Sequence, residues 1–105
     1  MHIGIVGGLD RTESFYTRIA AEAGHELEHH FGDMAGRGST ALEALVDRSD
    51  LVIIVTDVNS HGAVIRTRRL ARLRNRRCVI MKRCGVSRFS ALLRELSQDQ
   101  HALSA

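Results

Sequence analysis

The sequence has no proline and no tryptophan, and its aromatic residues are three phenylalanines and one tyrosine: Phe15, Tyr16, Phe31 and Phe89. Sequence-tolerant binding of single-stranded nucleic acid depends on stacking platforms, so so few rings argue against it. No apolar run approaches the length that spans a bilayer, and Met1 to Gly8 carries no basic leader ahead of its short apolar stretch. The expectation is a cytoplasmic protein with no membrane partner. Cys78 and Cys84 stand six apart, which matches neither a redox CxxC nor a zinc knuckle. They read as free thiols, one buried and one near a strand end.

Acidic residues are missing from one long stretch. Residues 58 to 94 carry eleven basic side chains and no acid, whereas residues 1 to 57 carry four basic and ten acidic ones. The net charge of +3 hides this division. The second half is therefore the side that would meet an anion.

What is present is ordinary for a globular chain: 105 residues, 44% hydrophobic and 26% charged. That bounds the chain, residues 1 to 105, to one α/β domain with a single core. A core of this size leaves room for a bound partner or a second copy to matter.

Ile3 to Val6 reads as a strand ended by Gly7-Gly8, and Thr12 as the cap of a helix running to Gly24. His25 to Phe31 reads as a short, polar, edge-like strand, with Leu27 and His29 on one face and Glu28 and His30 on the other. Three glycines lie between residues 32 and 38, after which Ser39 or Thr40 can cap a helix through Leu42, Leu45 and Val46. Leu51 to Thr56 is the longest β-branched run and reads as a strand buried on both faces. His61 or Gly62 opens a helix to about Asn75, capped by Asn59 or Ser60. Cys78 to Met81 reads as another buried strand, and Ser87 precedes a helix from Phe89 to Leu96.

Strand and helix thus alternate four times, with connections long enough for crossovers. This predicts a small doubly wound parallel four-stranded sheet covered on both faces, a Rossmann-like or flavodoxin-like three-layer sandwich. The expected strand order is 2-1-3-4. Its switch point, where α/β proteins bind ligands, falls between the first and third strands.

Several candidate site residues collect at that edge. Gly7 and Gly8 end the first strand as a phosphate-cradling turn would, although the loop is neither GxGxxG nor a Walker loop. His29 and His30 are adjacent and point to opposite faces, so one of them serves a site, and His30 lies nearer the crevice. Asp57-Val58-Asn59-Ser60-His61 follows the most buried strand, and His61 is the imidazole that helix capping leaves unexplained. Lys82 and Arg83 end the fourth strand at the same edge. Arg68, Arg72 and Arg76 form a line at i, i+4 spacing, where mutual repulsion calls for an anionic partner, acids from another subunit, or simply solvent. Guanidinium groups there suit phosphates, haem propionates or a nucleic-acid backbone.

Val6-Gly7-Gly8 with a nearby arginine, His29-His30-x-Gly32, Asp57-x-x-Ser60-His61-x-Ala63 and Val86-Ser87-Arg88-Phe89-x-x-Ala91-Leu92 resemble, in order and spacing, the bacterial family catalogued as domain of unknown function 2325. The resemblance covers nearly the whole chain. It implies that the family's histidines fall on His30 and His61, and it brings an association of some members with haem and dioxygen. Phe31 stands where the family commonly has Asp, and Val58 where it commonly has Cys. Without those two ligands a compact metal cage is disfavoured, and an imidazole beside apolar side chains is what a haem needs.

The leading functional expectation is accordingly a non-enzymatic haem protein that binds dioxygen or another diatomic gas. It would hold haem b through His61, in preference to His30, with Arg68 and Arg72 on the propionates, Lys82 beside the crevice, and a homodimer enclosing the ring. One alternative is a regulatory α/β module that binds a phosphate-bearing small molecule. Another is a basic nucleic-acid-binding protein, against which the scarce aromatics and the lack of a helix-turn-helix pattern weigh. Enzyme chemistry is the weakest class, since an Asp57 and His61 acid-base pair comes with no substrate.

Overall fold

The computed structural model describes residues 1–8 and 13–104, with side chains as far as residue 96. The expected Thr12 cap, and Leu9 to Arg11 in the first loop, lie outside the described residues. Four strands alternate with four helices: β1 (His2–Val6), α1 (Glu13–Glu22), β2 (Glu26–His30), α2 (Gly38–Arg48), β3 (Leu51–Val55), α3 (His61–Leu73), β4 (Arg77–Met81) and α4 (Val86–Ser104). All strand pairs are parallel, in the order β2-β1-β3-β4, as the alternation of elements predicted.

The apolar run of β3 is explained by what covers it. Leu51, Ile53 and Val55 turn to one face, where Ile3 and Ile5 of β1 meet Tyr16 and Ala20 of α1 and Phe89, Leu93 and Leu96 of α4. Val52 and Ile54 turn to the other, with Val6, against Leu42, Leu45 and Val46 of α2 and Ala63 and Leu70 of α3. Each such buried Val, Leu or Ile contributes about 2 kcal/mol relative to exposure. At Gly4 the α2 layer comes so close that a Cβ would lie 2.4 Å from Leu45 Cδ2.

Several local expectations change. α2 begins at Gly38, ahead of the expected capping residues: Arg37 occupies the N-cap position without a side-chain hydrogen bond, and Ser39 and Thr40 lie inside the helix. The reason is the preceding turn, in which Gly38 N–H donates to the Ala35 carbonyl at 3.0 Å and a Cβ at Gly38 would lie 1.9 Å from the Asp33 carbonyl oxygen. β4 is an edge strand, so Ile80 is 47% exposed and the expected full burial holds only for Met81. α3 ends at Leu73, and Asn75 turns the chain away with a φ of 55°. Both cysteines are free, but Cys84, beyond the strand, is the buried one, and Cys78 within it is half-buried.

Candidate functional site

The ends of β2, β1 and β3 are tied together by short hydrogen bonds. Gly7 N–H donates to the His30 carbonyl at 2.8 Å, and Gly8 N–H donates to the Val58 carbonyl at 3.0 Å. Both glycines hold positive φ, at 97° and 86°. A Cβ at Gly7 would stand 2.3 Å from the Val55 carbonyl oxygen. Their amides are thus spent inside the protein, so Gly7 supplies clearance at the switch point and Gly8 a left-handed turn, rather than donors to an anion.

Asn59 is the residue that fastens this junction. Its Nδ2 donates to the carbonyls of Val55 at 2.8 Å and Val6 at 3.3 Å, and its Oδ1 accepts from Ser60 N–H at 2.8 Å. Val58, just before it, takes a left-handed φ of 49°, costly for a β-branched residue, and stays 51% exposed. Ser60 caps α3 as expected, its Oγ accepting from Ala63 N–H at 3.1 Å. The same oxygen donates to the Gly32 carbonyl at 2.6 Å. Phe31 and His61 therefore flank one hydrogen bond, both exposed.

The three histidines occupy different environments. His29 Nε2 donates to the Gly7 carbonyl at 2.6 Å, and its ring lies 4.3 Å from that of Phe31 and 6.0 Å from that of Tyr16. Burial holds its pKa below the ordinary histidine value, partly offset by the Gly7 carbonyl. His30 is buried on the opposite face. Its Nδ1 accepts from Gly32 N–H at 3.0 Å and its Nε2 donates to the Gly38 carbonyl at 2.8 Å. With one nitrogen accepting and the other donating, both ring nitrogens are engaged and neither is left to bind a ligand. His61 opens α3, exposed, and its imidazole makes no hydrogen bond or ion pair among the described residues.

The cations do not gather around His61. Asp57 N–H donates to the Lys82 carbonyl at 2.9 Å, which brings the ends of β3 and β4 together at the carboxyl edge. The Asp57 carboxylate accepts from Arg83 Nε at 2.9 Å, so its partner is a guanidinium and not the His61 imidazole. At the C-cap of α3, Arg74 pairs with Asp47 at 2.7 Å and with Glu43 at 3.1 Å, and within the helix Arg66 stands 3.6 Å from Glu43. Acids of the same chain, on α2, thus answer part of the basic helix. Arg68 and Arg72 lie about 10 and 16 Å along the helix from His61 at 1.5 Å per residue. They line a groove against Cys78 and Ile80, away from the carboxyl edge.

Of the expected site residues, the fold brings His61 and Lys82 to the edge beside Gly7 and Gly8, locks His30 into the α2 face, and sets Arg68 and Arg72 apart. Among the described residues no three His, Cys, Asp or Glu side chains gather as a metal site would require, and no helix is long and apolar enough to cross a membrane. The sequence marks Asn59 only as a possible cap of α3. Its signal was there, in an asparagine directly after the most buried strand, but its carbonyl partners come from two strands and only the folded sheet assembles them.

No curated protein and no solved structure matches this chain. A family model does, over residues 2–96: that of an uncharacterized protein conserved in bacteria (DUF2325).

Proposed function

We propose, for a chain that belongs to this bacterial family, a regulatory function: it binds a phosphate-bearing small molecule at the carboxyl edge of the sheet, in the crevice between β1 and β3. The observation that carries this reading is the Ser60 to Gly32 hydrogen bond of 2.6 Å, which seats the start of α3 at the switch point. Ser60 satisfies the Ala63 amide with its side chain and the Val64 amide with its carbonyl. The amides of His61 and Gly62 are left to face out of the helix end, where an anion is favoured. The His61 imidazole adds an N–H donor, and Lys82 adds a cation at the neighbouring strand end. Phe31, 40% exposed, and Val58, 51% exposed, offer apolar surface for the rest of the ligand, such as a base.

The test is thermal stabilisation by a panel of nucleoside phosphates, with haem in parallel. Stabilisation by one or more nucleotides, reduced in His61→Ala and in Lys82→Ala, supports the reading. No shift from any phosphate compound at millimolar concentration contradicts it.

A second reading, a haem b protein that binds dioxygen or another diatomic gas, is favoured by the His61 imidazole, which has no partner among the described residues, and by the exposed Phe31 and Val58 at the same edge. The residues fit the ring's ligand but not its propionates. His30 has no free nitrogen, and Arg68 and Arg72 stand too far along α3, so a homodimer would have to complete the pocket. A Soret band after haem addition, lost in His61→Ala, would select this reading over the first.

A further inference from the structure

The arginines of α3 and of the turn that follows it divide between two sides. Arg66 and Arg74 turn to Glu43 and Asp47 of α2, and Arg76 donates to the Asp47 carbonyl at 2.9 Å. Arg68 and Arg72 are exposed and make no ion pair among the described residues. They line, with Ala71, Arg76, Cys78 and Ile80, an open groove of about 260 Å³ beside β4.

β4 is the edge of the sheet, so one row of its main-chain groups has no neighbouring strand. The Met81 carbonyl accepts from Thr56 N–H at 2.9 Å and so faces β3. Main-chain groups alternate in direction along a strand, which turns the N–H and C=O of Cys78 and Ile80 to the open side. These are the residues whose side chains share the groove with Arg68 and Arg72. Four residues of helix carry Arg68 about 6 Å from Arg72, and alternate residues of a strand stand about 6.6 Å apart. A strand added to β4 would bring two side chains, two positions apart, onto these two guanidinium groups.

We infer that the β4 edge and the Arg68–Arg72 row form a docking site for an extended acidic peptide, which joins the sheet as a fifth strand and places carboxylates at alternate positions on the two arginines. Main-chain hydrogen bonds to Cys78 and Ile80 hold the strand, and the arginines select its charge. A second copy of the chain is a poor occupant. Antiparallel pairing of β4 with itself sets two arginine rows on one face of the joined sheet, and the acids of the opposite edge are already engaged, Glu28 with Arg48 and His2, and Glu26 with His2. A nucleic acid would use the arginines but not the open backbone or the half-exposed Ile80.

The experiment measures fluorescence anisotropy of a labelled eight-residue peptide alternating Glu and Val, at low salt, against the whole protein. Saturable binding is expected, weakened about tenfold or more by the double variant Arg68→Glu, Arg72→Glu. Two peptides N-methylated at alternate residues, one for each edge of the strand, probe the backbone without changing the protein. One should bind and the other should not. Equal binding of both, or no binding of the unmodified peptide at millimolar concentration, overturns strand addition. Displacement of the peptide by oligothymidylate that itself binds more tightly overturns it in favour of nucleic acid. Self-association in sedimentation that Ile80→Pro abolishes overturns it in favour of an interface between copies.

Discussion

Ser60 Oγ donates to the Gly32 carbonyl at 2.6 Å while accepting from the Ala63 amide, so one hydroxyl joins the end of β2 to the start of α3 across the end of β1. Everything proposed for the carboxyl edge depends on that attachment, because it sets His61 and Phe31 on either side of the crevice. Ser60→Ala should cost about 2 kcal/mol, one part for the lost cap and one for the lost bond to Gly32. Urea denaturation followed by circular dichroism measures it.

Gly32 and Gly36 both have positive φ, at 94° and 57°, but their surroundings differ. A Cβ on Gly32 would stand 2.3 Å from Asn59 Oδ1 and 3.2 Å from the Ser60 amide nitrogen, whereas one on Gly36 meets nothing within 4 Å. Gly36→Ala should cost about 1 kcal/mol for backbone strain alone. Gly32→Ala should cost distinctly more and also weaken ligand binding at the edge, since Asn59 and Ser60 must move. Thermal melts of the two variants side by side check the ordering.

The arginines of α3 and its C-cap should respond unequally to removal. Arg74→Ala breaks pairs with Glu43 and Asp47 and should lower stability by about 0.5 to 1 kcal/mol, with the effect shrinking in high salt. Arg72→Ala removes a charge with no ion pair among the described residues, four residues from Arg68, and it should leave stability unchanged or raise it by about 0.3 kcal/mol. Denaturation midpoints at low and high salt separate the two cases.

His29 supplies a pH dependence. Burial lowers its folded-state pKa from the ordinary value of 6.5, and its Nδ1 is buried with no hydrogen-bond partner among the described residues, so protonation would add a donor with none of these to receive it. The unfolded chain then takes up the proton first. Stability is complete above about pH 6.5 and falls as the pH drops from there toward the lower folded pKa. Burial, assisted by the N-terminal amine, lowers His25 in the same direction, so both contribute to the slope. His29→Gln should make the decline between pH 6.5 and 5 shallower, as read from unfolding free energies across that window.

The layer order was legible because β3 has an uninterrupted β-branched run and β2 an alternating polar one, which together fix a buried strand and an edge. The position of Ser60 as a cap was legible for the same reason: cap chemistry is local. The environments of the histidines were not. Adjacent on β2, His29 and His30 share a composition and differ only in which face receives them, and the Gly38 carbonyl that engages the His30 ring belongs to a helix whose start the sequence misplaces. Nor does helical spacing alone say which arginines of α3 and its C-cap will find Glu43 and Asp47, because α2 supplies those acids through packing. The line at i, i+4 spacing joined Arg76, which turns to α2, with Arg68 and Arg72, which do not.

The central claim, an anion site at the start of α3, is tested most directly by titrating a nucleoside phosphate into the nitrogen-15-labelled protein and following the backbone amides. The account predicts that the His61 and Gly62 amides shift most, with smaller changes at Phe31, Val58 and Lys82, and that His61→Ala weakens the titration while leaving the fold intact. Saturable shifts centred elsewhere, or none at millimolar ligand, would contradict it.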